Sequence, residues 1–420
     1  MLGWELAPHA TGGLGVACSK LARSLSEQGA EVLFVLPRAR GDEDAGGAKV
    51  RSCPAPRGAG SVHGERWGPH SLDAGVRTRE FDSALRPYMS ADEYRRQHFD
   101  RRASGGGHAE LTGGYGPTLF EEVQRFAQGV EEAAEGESFD VIHAHDWMTF
   151  AAGRRVSERL GRPLICHVHS TERDRRPFDP DPRIEHEEQR AFEVADRIVC
   201  VSEFAAEALC ERYDIERARV RTVHNAGDHG GSLSLSSEAR PPKRSPRVLF
   251  LGRLTDQKGP LTFLEACAKV FSREPEAEAY VCGEGELSGA CLRRAEELGI
   301  ADRVTFTGFV SSAAVHEMYA AADVFVLPSV SEPFGLTPLE ALAAGTPALV
   351  SRQSGVAEVL SSSVQFDHWN VDDLAQKILA VLRFPTLARE LVAAGRAELR
   401  RLGWDASALT LLRVYEEVAS

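Results

Sequence analysis

Ser329-Val330-Ser331-Glu332-Pro333-Phe334-Gly335-Leu336-Thr337-Pro338-Leu339-Glu340-Ala341-Leu342-Ala343-Ala344-Gly345 is the stretch whose reading decides the fold. Just ahead of it, Val324-Phe325-Val326-Leu327 is a short apolar, partly β-branched run bounded by Pro328, which predicts a buried strand. Thr337 then offers a helix cap, Pro338 a ring preset for the first helical position, and Glu340 completes an S/T-x-x-E capping pattern. The helix should stop at Gly345. A strand, a turn carrying Gly335 and a helix start together present backbone N–H groups suited to an anion such as a diphosphate. Glu332 on the turn and Glu340 in the first helical turn can face that pocket from different depths. Taken singly, Glu340 also reads as a cap and Glu332 as a solvated loop acid.

Moving back along the chain, Arg247 to Phe250 predicts the first strand of an α/β unit, and Gly252-Arg253-Leu254-Thr255-Asp256-Gln257-Lys258-Gly259 forms the loop after it. Two cations separated by a turn, Arg253 and Lys258, suit a diphosphate leaving group; alone they also read as surface cations. Strands are expected at Ala279–Cys282, Val304–Gly308 and Pro347–Val350, and helices over Val371–Leu382, Leu387–Arg400 and Trp404–Val418. His229 to Arg244, with its Gly-Gly-Ser and Pro-Pro pairs, is the clearest linker and divides the chain in two.

The earlier half is also wound as α/β. Gly12-Gly13-Leu14-Gly15 opens a helix from about Val16 to Gln28, stopped by Gly29, and Glu31 to Leu36 is a strand. Glycines there let bare backbone approach a phosphate or sugar, although such glycines are often only conformational. The strand expected ahead of them is nearly missing, which means either a misplaced start or a clipped first strand. Gly41–Pro69 and Arg86–Gly116 read as loops, the second with Arg95, Arg96, Arg101 and Arg102 clustered as in a solvated loop or an acceptor-side lid. Leu119 to Glu135 carries a helical apolar stripe. A strand from Asp140 to His143 then delivers His145, Asp146 and Trp147 to the carboxyl edge, where open α/β sheets place ligands. His143 and His145 share a strand face, but no third ligand lies near them in sequence, so no metal is expected. Pro163 to Ser170 is another strand and turn, carrying His169. Glu172 to Glu188, with Pro177, Pro180 and Pro182, reads as a loop. Ala195 to Ser202 and Val220 to Asn225 are the remaining strands.

Composition bounds the alternatives. At 420 residues two or three domains are the prior, and 43% hydrophobic with 26% charged residues describes an ordinary globular protein. A formal net charge of -13 argues against nucleic-acid binding, which needs a basic face. The 8 cysteines form no C-x-x-C and several lie in apolar runs, as buried free thiols in a reducing cytoplasm do. No apolar stretch reaches the roughly 18 residues of a membrane span, and no signal peptide is visible; a peripheral membrane contact stays open.

The segment E-P-F-G-L-T-P-L-E-A-L-A-A-G-T-P resembles the E-x7-E signature of retaining glycosyltransferases that use nucleotide sugars and have two facing Rossmann-like domains, the GT-B, family 4, glycogen- and starch-synthase-like group also called glycosyl transferases group 1. D-V-I-H-A-H-D-W and H-V-H-S resemble the corresponding synthase segments, and G-R-L-T-D-Q-K-G the phosphate clamp, so the likeness covers nearly the whole chain. It implies a 1–231 acceptor-side domain, a 232–246 linker, a 247–402 nucleotide-sugar domain and a 403–420 helix crossing back. It implies catalytic roles for Asp146, His169, Arg253, Lys258 and Glu332, with Glu332 and His169 on the hexose. Donor contacts are implied for Gly12, Gly13, Arg253, Lys258, Gly335, Leu336, Thr337 and Glu340, the last on ribose. No cofactor or metal is implied; the partners are a nucleotide sugar such as UDP-glucose or ADP-glucose and a carbohydrate acceptor. Two departures stand out. Asn225-Ala226-Gly227-Asp228 replaces the usual N-G-V-D, and Ala10 stands where ADP-glucose glycogen synthases carry Lys, which weakens ADP-glucose and polymer extension. An epimerase of the same architecture and a catalytically silent binding protein are the rivals.

Overall fold

The structure is a computed structural model; it describes residues 1–7, 13–37, 42–52, 119–134, 136–227, 245–310 and 312–419. Two parallel sheets organise it. In the first half, β1 (Leu33–Leu36), β2 (Lys49–Ser52), β3 (Ile142–His145), β4 (Leu164–Val168), β5 (Arg197–Cys200) and β6 (Val220–Thr222) are joined through one residue, Leu2, which bridges Val35 on one side and Ala144 on the other. The place of a strand ahead of the first helix is held by Leu2 as an isolated bridge, with Met1 O accepting from Val35 N at 2.9 Å and Gly3 N donating to Val35 O at 3.2 Å. Its neighbours supply the missing bonds, with Leu2 N donating to His143 O at 2.7 Å and His145 N donating to Leu2 O at 3.0 Å. The resulting order is β2-β1-Leu2-β3-β4-β5-β6.

In the second half, β7 (Arg247–Leu251), β8 (Glu278–Cys282), β9 (Val304–Gly308), β10 (Val324–Leu327), β11 (Ala348–Ser351) and β12 (Val364–Phe366) run in the order β12-β11-β10-β7-β8-β9. Both orders reverse direction beside the first strand, which is the doubly wound arrangement that opens a crevice at the carboxyl edge. In the second half the crevice lies between β7 and β10, and in the first between Leu2 and β3. β3, β4, β10 and β11 are buried along their whole length, as strands covered by helices on both faces must be.

Six helices position the site: α1 (Gly13–Glu27), α2 (Trp147–Leu160), α3 (Glu203–Tyr213), α4 (Pro260–Phe271), α5 (Thr337–Ala343) and α6 (Trp404–Ala419). α6 crosses back onto the first half. Its Ala408, Leu411 and Val414 share one apolar cluster with Leu14, Cys18, Leu21 and Leu25 of α1. Its Glu417 is paired by Arg197 and Arg221, and Asp405 accepts from Ser24 Oγ at 3.0 Å.

Three expectations are corrected. Lys49–Ser52 lies inside the stretch read as a loop, yet pairs in register with β1, because four residues with one buried valine give too little pattern to read. The run Glu172–Glu188 is largely helical: Glu172–Arg175 forms a turn of helix and Pro182–Val194 a full one. Pro182 sits in that helix's first turn, where its missing N–H costs nothing, and Asp181 accepts from Arg183 N at 2.9 Å. Its inward face is Ile184, Glu188, Ala191 and Phe192, so a carboxylate at one apolar position hid the stripe. Finally, α5 begins at Thr337 with Leu336 before it, Pro338 falls at the second position, and no side-chain cap bond forms, so Thr337 and Glu340 do not close a capping box. The expected linker falls almost wholly on residues 228–244, outside the described ones, as do Gly12 and the arginines at 95–102. Among the described residues the cysteines are free, and all but Cys210 are buried.

Candidate functional site

The crevice of the second half is built by turns that only glycine permits. Gly259, at φ +64°, would drive a Cβ to 2.2 Å from Pro328 O, and Gly283, at φ +133°, to 1.9 Å from Gly252 O. The first presses the turn after β7 against the turn after β10, and the second presses the turn after β8 against the turn after β7. Lys258 consequently meets Glu332 in a salt bridge, with Glu332 only 7% exposed and Ser329 Oγ donating to it at 3.2 Å. Gln257 stitches the same turns: its N–H₂ donates to Ser331 O at 3.1 Å and its backbone carbonyl accepts from Val330 N at 2.8 Å. Arg253 Nη2 donates to Gln257 Oε1 at 3.3 Å. Gly335, at φ +99°, lies beneath this pair, with Glu332 Cγ 3.2 Å from where its Cβ would stand. Glu340 is exposed and accepts from Tyr319 OH at 3.0 Å, a bond that holds the phenol well above its ordinary range together with burial, the larger cause.

The first half brings Asp146 to the end of β3 in a conformation unusual for a residue with a side chain, φ 57° and ψ 167°. Such backbone costs about 1–3 kcal/mol and persists where the surroundings over-determine it. Here they do. Asp146 Oδ1 accepts from His169 N at 2.7 Å and Ser170 N at 3.3 Å, and Asp146 N donates to His167 O at 2.9 Å. The other carboxylate oxygen is buried without a hydrogen-bond partner. Burial, opposed chiefly by Arg175, pushes the carboxyl up to about 6.

Beside it His143, His145, His167 and His169 form a stacked array across β3 and β4, with ring centres 4.2 to 5.2 Å apart. Tyr415 OH of α6 meets His143 Nδ1 at 2.7 Å, His143 Nε2 meets His167 Nδ1 at 3.1 Å, and His145 Nδ1 meets His169 Nε2 at 2.9 Å. Burial depresses all four, His169 to about 3, so the array is neutral at physiological pH. The third neighbour that sequence spacing lacked is supplied in space: Cys18, His145 and His169 hold ligand-capable atoms within 4.8 Å of one another, as do His143, His145 and His167. Four of the eight ring nitrogens are spent on each other and His143 Nδ1 on Tyr415, while His145 Nε2 and His167 Nε2 are buried without a hydrogen-bond partner.

The two halves meet at these edges. A Cβ on Gly13 would stand 3.6 Å from Leu336 Cδ1, so the first half's glycine turn lies against the second half's E-x7-E segment. Ser331 Oγ donates to Asp174 Oδ1 at 2.7 Å, and Ser202 donates to Pro333 O. Glu358 accepts from Glu203 N at 3.0 Å and from Phe204 N at the start of α3, and pairs with His224 at 3.1 Å. Arg253, Lys258, Glu332 and Gly335 thus share one edge, Asp146 and His169 share the facing one, and Gly13 reaches Leu336. Sequence reasoning passed over Asp174, Arg175, Ser331 and Tyr319. The first two sit in the run read as a loop, and only the conversion of that run to a helical turn brings them inward.

Residues 234–398 match the family Glycosyl transferases group 1, and residues 91–229 match Glycosyltransferase Family 4. A D-inositol 3-phosphate glycosyltransferase of Catenulispora acidiphila is 31% identical over 318 residues, 69% of this chain and 74% of the relative. Among solved structures, sucrose-phosphate synthase from Thermosynechococcus elongatus superposes with a TM-score of 0.69 at 20% identity, covering 99% of this chain and 97% of that one. HepE of Anabaena, solved with UDP and glucose, superposes with a TM-score of 0.66 at 15% identity and covers 99% of both.

Proposed function

The chain belongs to the group 1, family 4 glycosyltransferases of the GT-B fold, and from that premise we propose that it moves a hexose, glucose, from a nucleoside-diphosphate sugar to a sugar or glycan acceptor with retention of anomeric configuration. The observation that carries this reading is the Lys258–Glu332 pair at the switch point of the second half, with Arg253 on the same turn. Cations there stabilise the diphosphate as its charge grows, and a buried acid beside them suits sugar hydroxyls. The relative solved with UDP and glucose supports a nucleotide-sugar donor.

In this mechanism the bond from the anomeric carbon to the β-phosphate oxygen breaks, and the acceptor hydroxyl oxygen bonds to that carbon from the same face. Its proton passes to the departing phosphate, so no protein nucleophile is required. Asp146 and His169 orient the hexose, Glu332 holds its hydroxyls and Glu340 holds ribose. A second reading of the acceptor, a small phosphorylated polyol or sugar rather than a glycan, is supported by the names of the inositol-phosphate and sucrose-phosphate relatives.

The test is a thermal-shift screen of nucleotide sugars, followed by transfer assays with the best donor and the product's anomeric configuration read by NMR. A stabilising donor and a product of unchanged configuration are expected. A changed sugar from donor alone points to the epimerase, and tight donor binding without transfer or hydrolysis to the silent protein.

A further inference from the structure

We propose that Asp174 is a positioning residue for the transfer, which holds the Glu332 turn of the second half in register with the Asp146 edge of the first through the hydroxyl of Ser331. The inference rests on the reading of Glu332 and Asp146 as sugar contacts.

Asp174 is 4% exposed, and its carboxylate takes four donors. Oδ2 accepts from Thr171 N at 2.9 Å and Thr171 Oγ1 at 2.8 Å; Oδ1 accepts from Arg212 Nη1 at 2.6 Å and Ser331 Oγ at 2.7 Å. Three of these donors belong to the first half and fix the carboxylate there. The fourth belongs to the second half and is the residue next to Glu332. The bonds on either side continue without a gap. Asp146 holds the backbone N–H groups of His169 and Ser170, which lead directly into Thr171. On the far side, Gln257 holds Ser331 O, and Glu332 meets Lys258. The short helix Glu172–Arg175 also packs against the turn Asp256–Lys258. The chain of contacts therefore runs from the acid on one edge to the acid on the other, with one bond, Asp174 to Ser331, crossing between halves.

A sugar held between two halves reacts only when both sets of contacts are aligned, and misplacement by about 1 Å can cost on the order of 100-fold in rate. The nucleotide is read to sit on the second half, so its binding does not need this crossing bond. Loss of the crossing bond should then appear in kcat rather than in donor KM.

The experiment compares wild type, S331A, S331T, D174A and S331A/D174A on UDP-glucose or ADP-glucose, whichever the wild type turns over, with kcat, donor KM and Tm measured for each. S331A removes one donor of four and leaves Asp174 its bonds within the first half. The expected result is a kcat about 5- to 20-fold below wild type for S331A with unchanged donor KM and Tm, and recovery in S331T. D174A should lower kcat at least as far and also lower Tm, and the double variant should lose no more kcat than D174A alone, because each change removes the Asp174–Ser331 bond. A wild type active on either donor with S331A equally active, or kcat losses that multiply in the double variant, overturns the proposal alone. A wild type that turns over neither donor overturns the functional reading, and the positioning role with it.

Discussion

The two facing edges of the crevice reach function by opposite electrostatic routes. On the second half, charged groups on adjoining turns are paired with each other, Lys258 with the buried Glu332 above Gly335. On the first half, His143, His145 and His167 are buried, His169 is half-buried, all four are kept neutral, and the acid beside them, Asp146, is itself pushed toward its protonated form. The difference matches what the proposed mechanism would have each edge hold. A diphosphate needs fixed charge, whereas a neutral hexose needs directed hydrogen bonds in a dry setting. It also means that damage to the two edges should read differently: in rate at the cation edge, and in pH dependence at the histidine edge.

The largest effect is expected at the cation edge. K258A should lower donor turnover by at least about tenfold, and Tm should fall because the buried Glu332 loses its partner. An unchanged rate removes Lys258 from the clamp. At the other edge, turnover should rise with pH through about 6 as Asp146 ionises, and D146N should abolish that inflection with a loss of activity. Stability moves the other way. The folded carboxyl titrates above the unfolded value of about 3.9, so Asp146 favours the fold only while protonated, and its contribution is lost as pH rises from about 4 through 6. By linkage this amounts to roughly 3 kcal/mol at neutral pH, so D146N should melt higher than wild type at pH 7, with the gap closing near pH 4. Equal melting at pH 7 would show that the carboxyl titrates normally. The smallest effect belongs to Y319F, which deprives Glu340 of one hydrogen bond and should raise donor KM about two- to fivefold with little change in kcat. A change in kcat alone would take Glu340 off the nucleotide.

The same contrast explains what the sequence made legible. Strands such as Val324–Leu327 are continuous apolar runs, and the glycine that brings β7's and β10's turns together is visible as a letter, so five of the second half's six strands could be read, although its helices Pro260–Phe271 and Ser288–Glu297 and the strand Val364–Phe366 were not. The first half resisted for three reasons. The place of its first strand is held by one bridging residue, Leu2, bonded to its neighbours rather than marked by pattern. The segment from Thr171 to Glu188 buries charge at helical spacing, with Arg175 set between Glu172 and Glu188, and buried ion pairs look in sequence like a solvated loop. The histidine array depends on the pairing of β3 with β4, which sets His145 opposite His167, a register that no local signal specifies. Local chemistry was readable; contacts across long sequence separations were not.

The central claim is that one sugar nucleotide lies against the paired charges of the second half with its hexose turned toward Asp146. A crystal structure of the protein with UDP tests it most directly. The account predicts the diphosphate within hydrogen-bond reach of Arg253 and Lys258 and the ribose hydroxyls on Glu340. A nucleotide bound elsewhere, or one whose diphosphate touches neither cation, would contradict it.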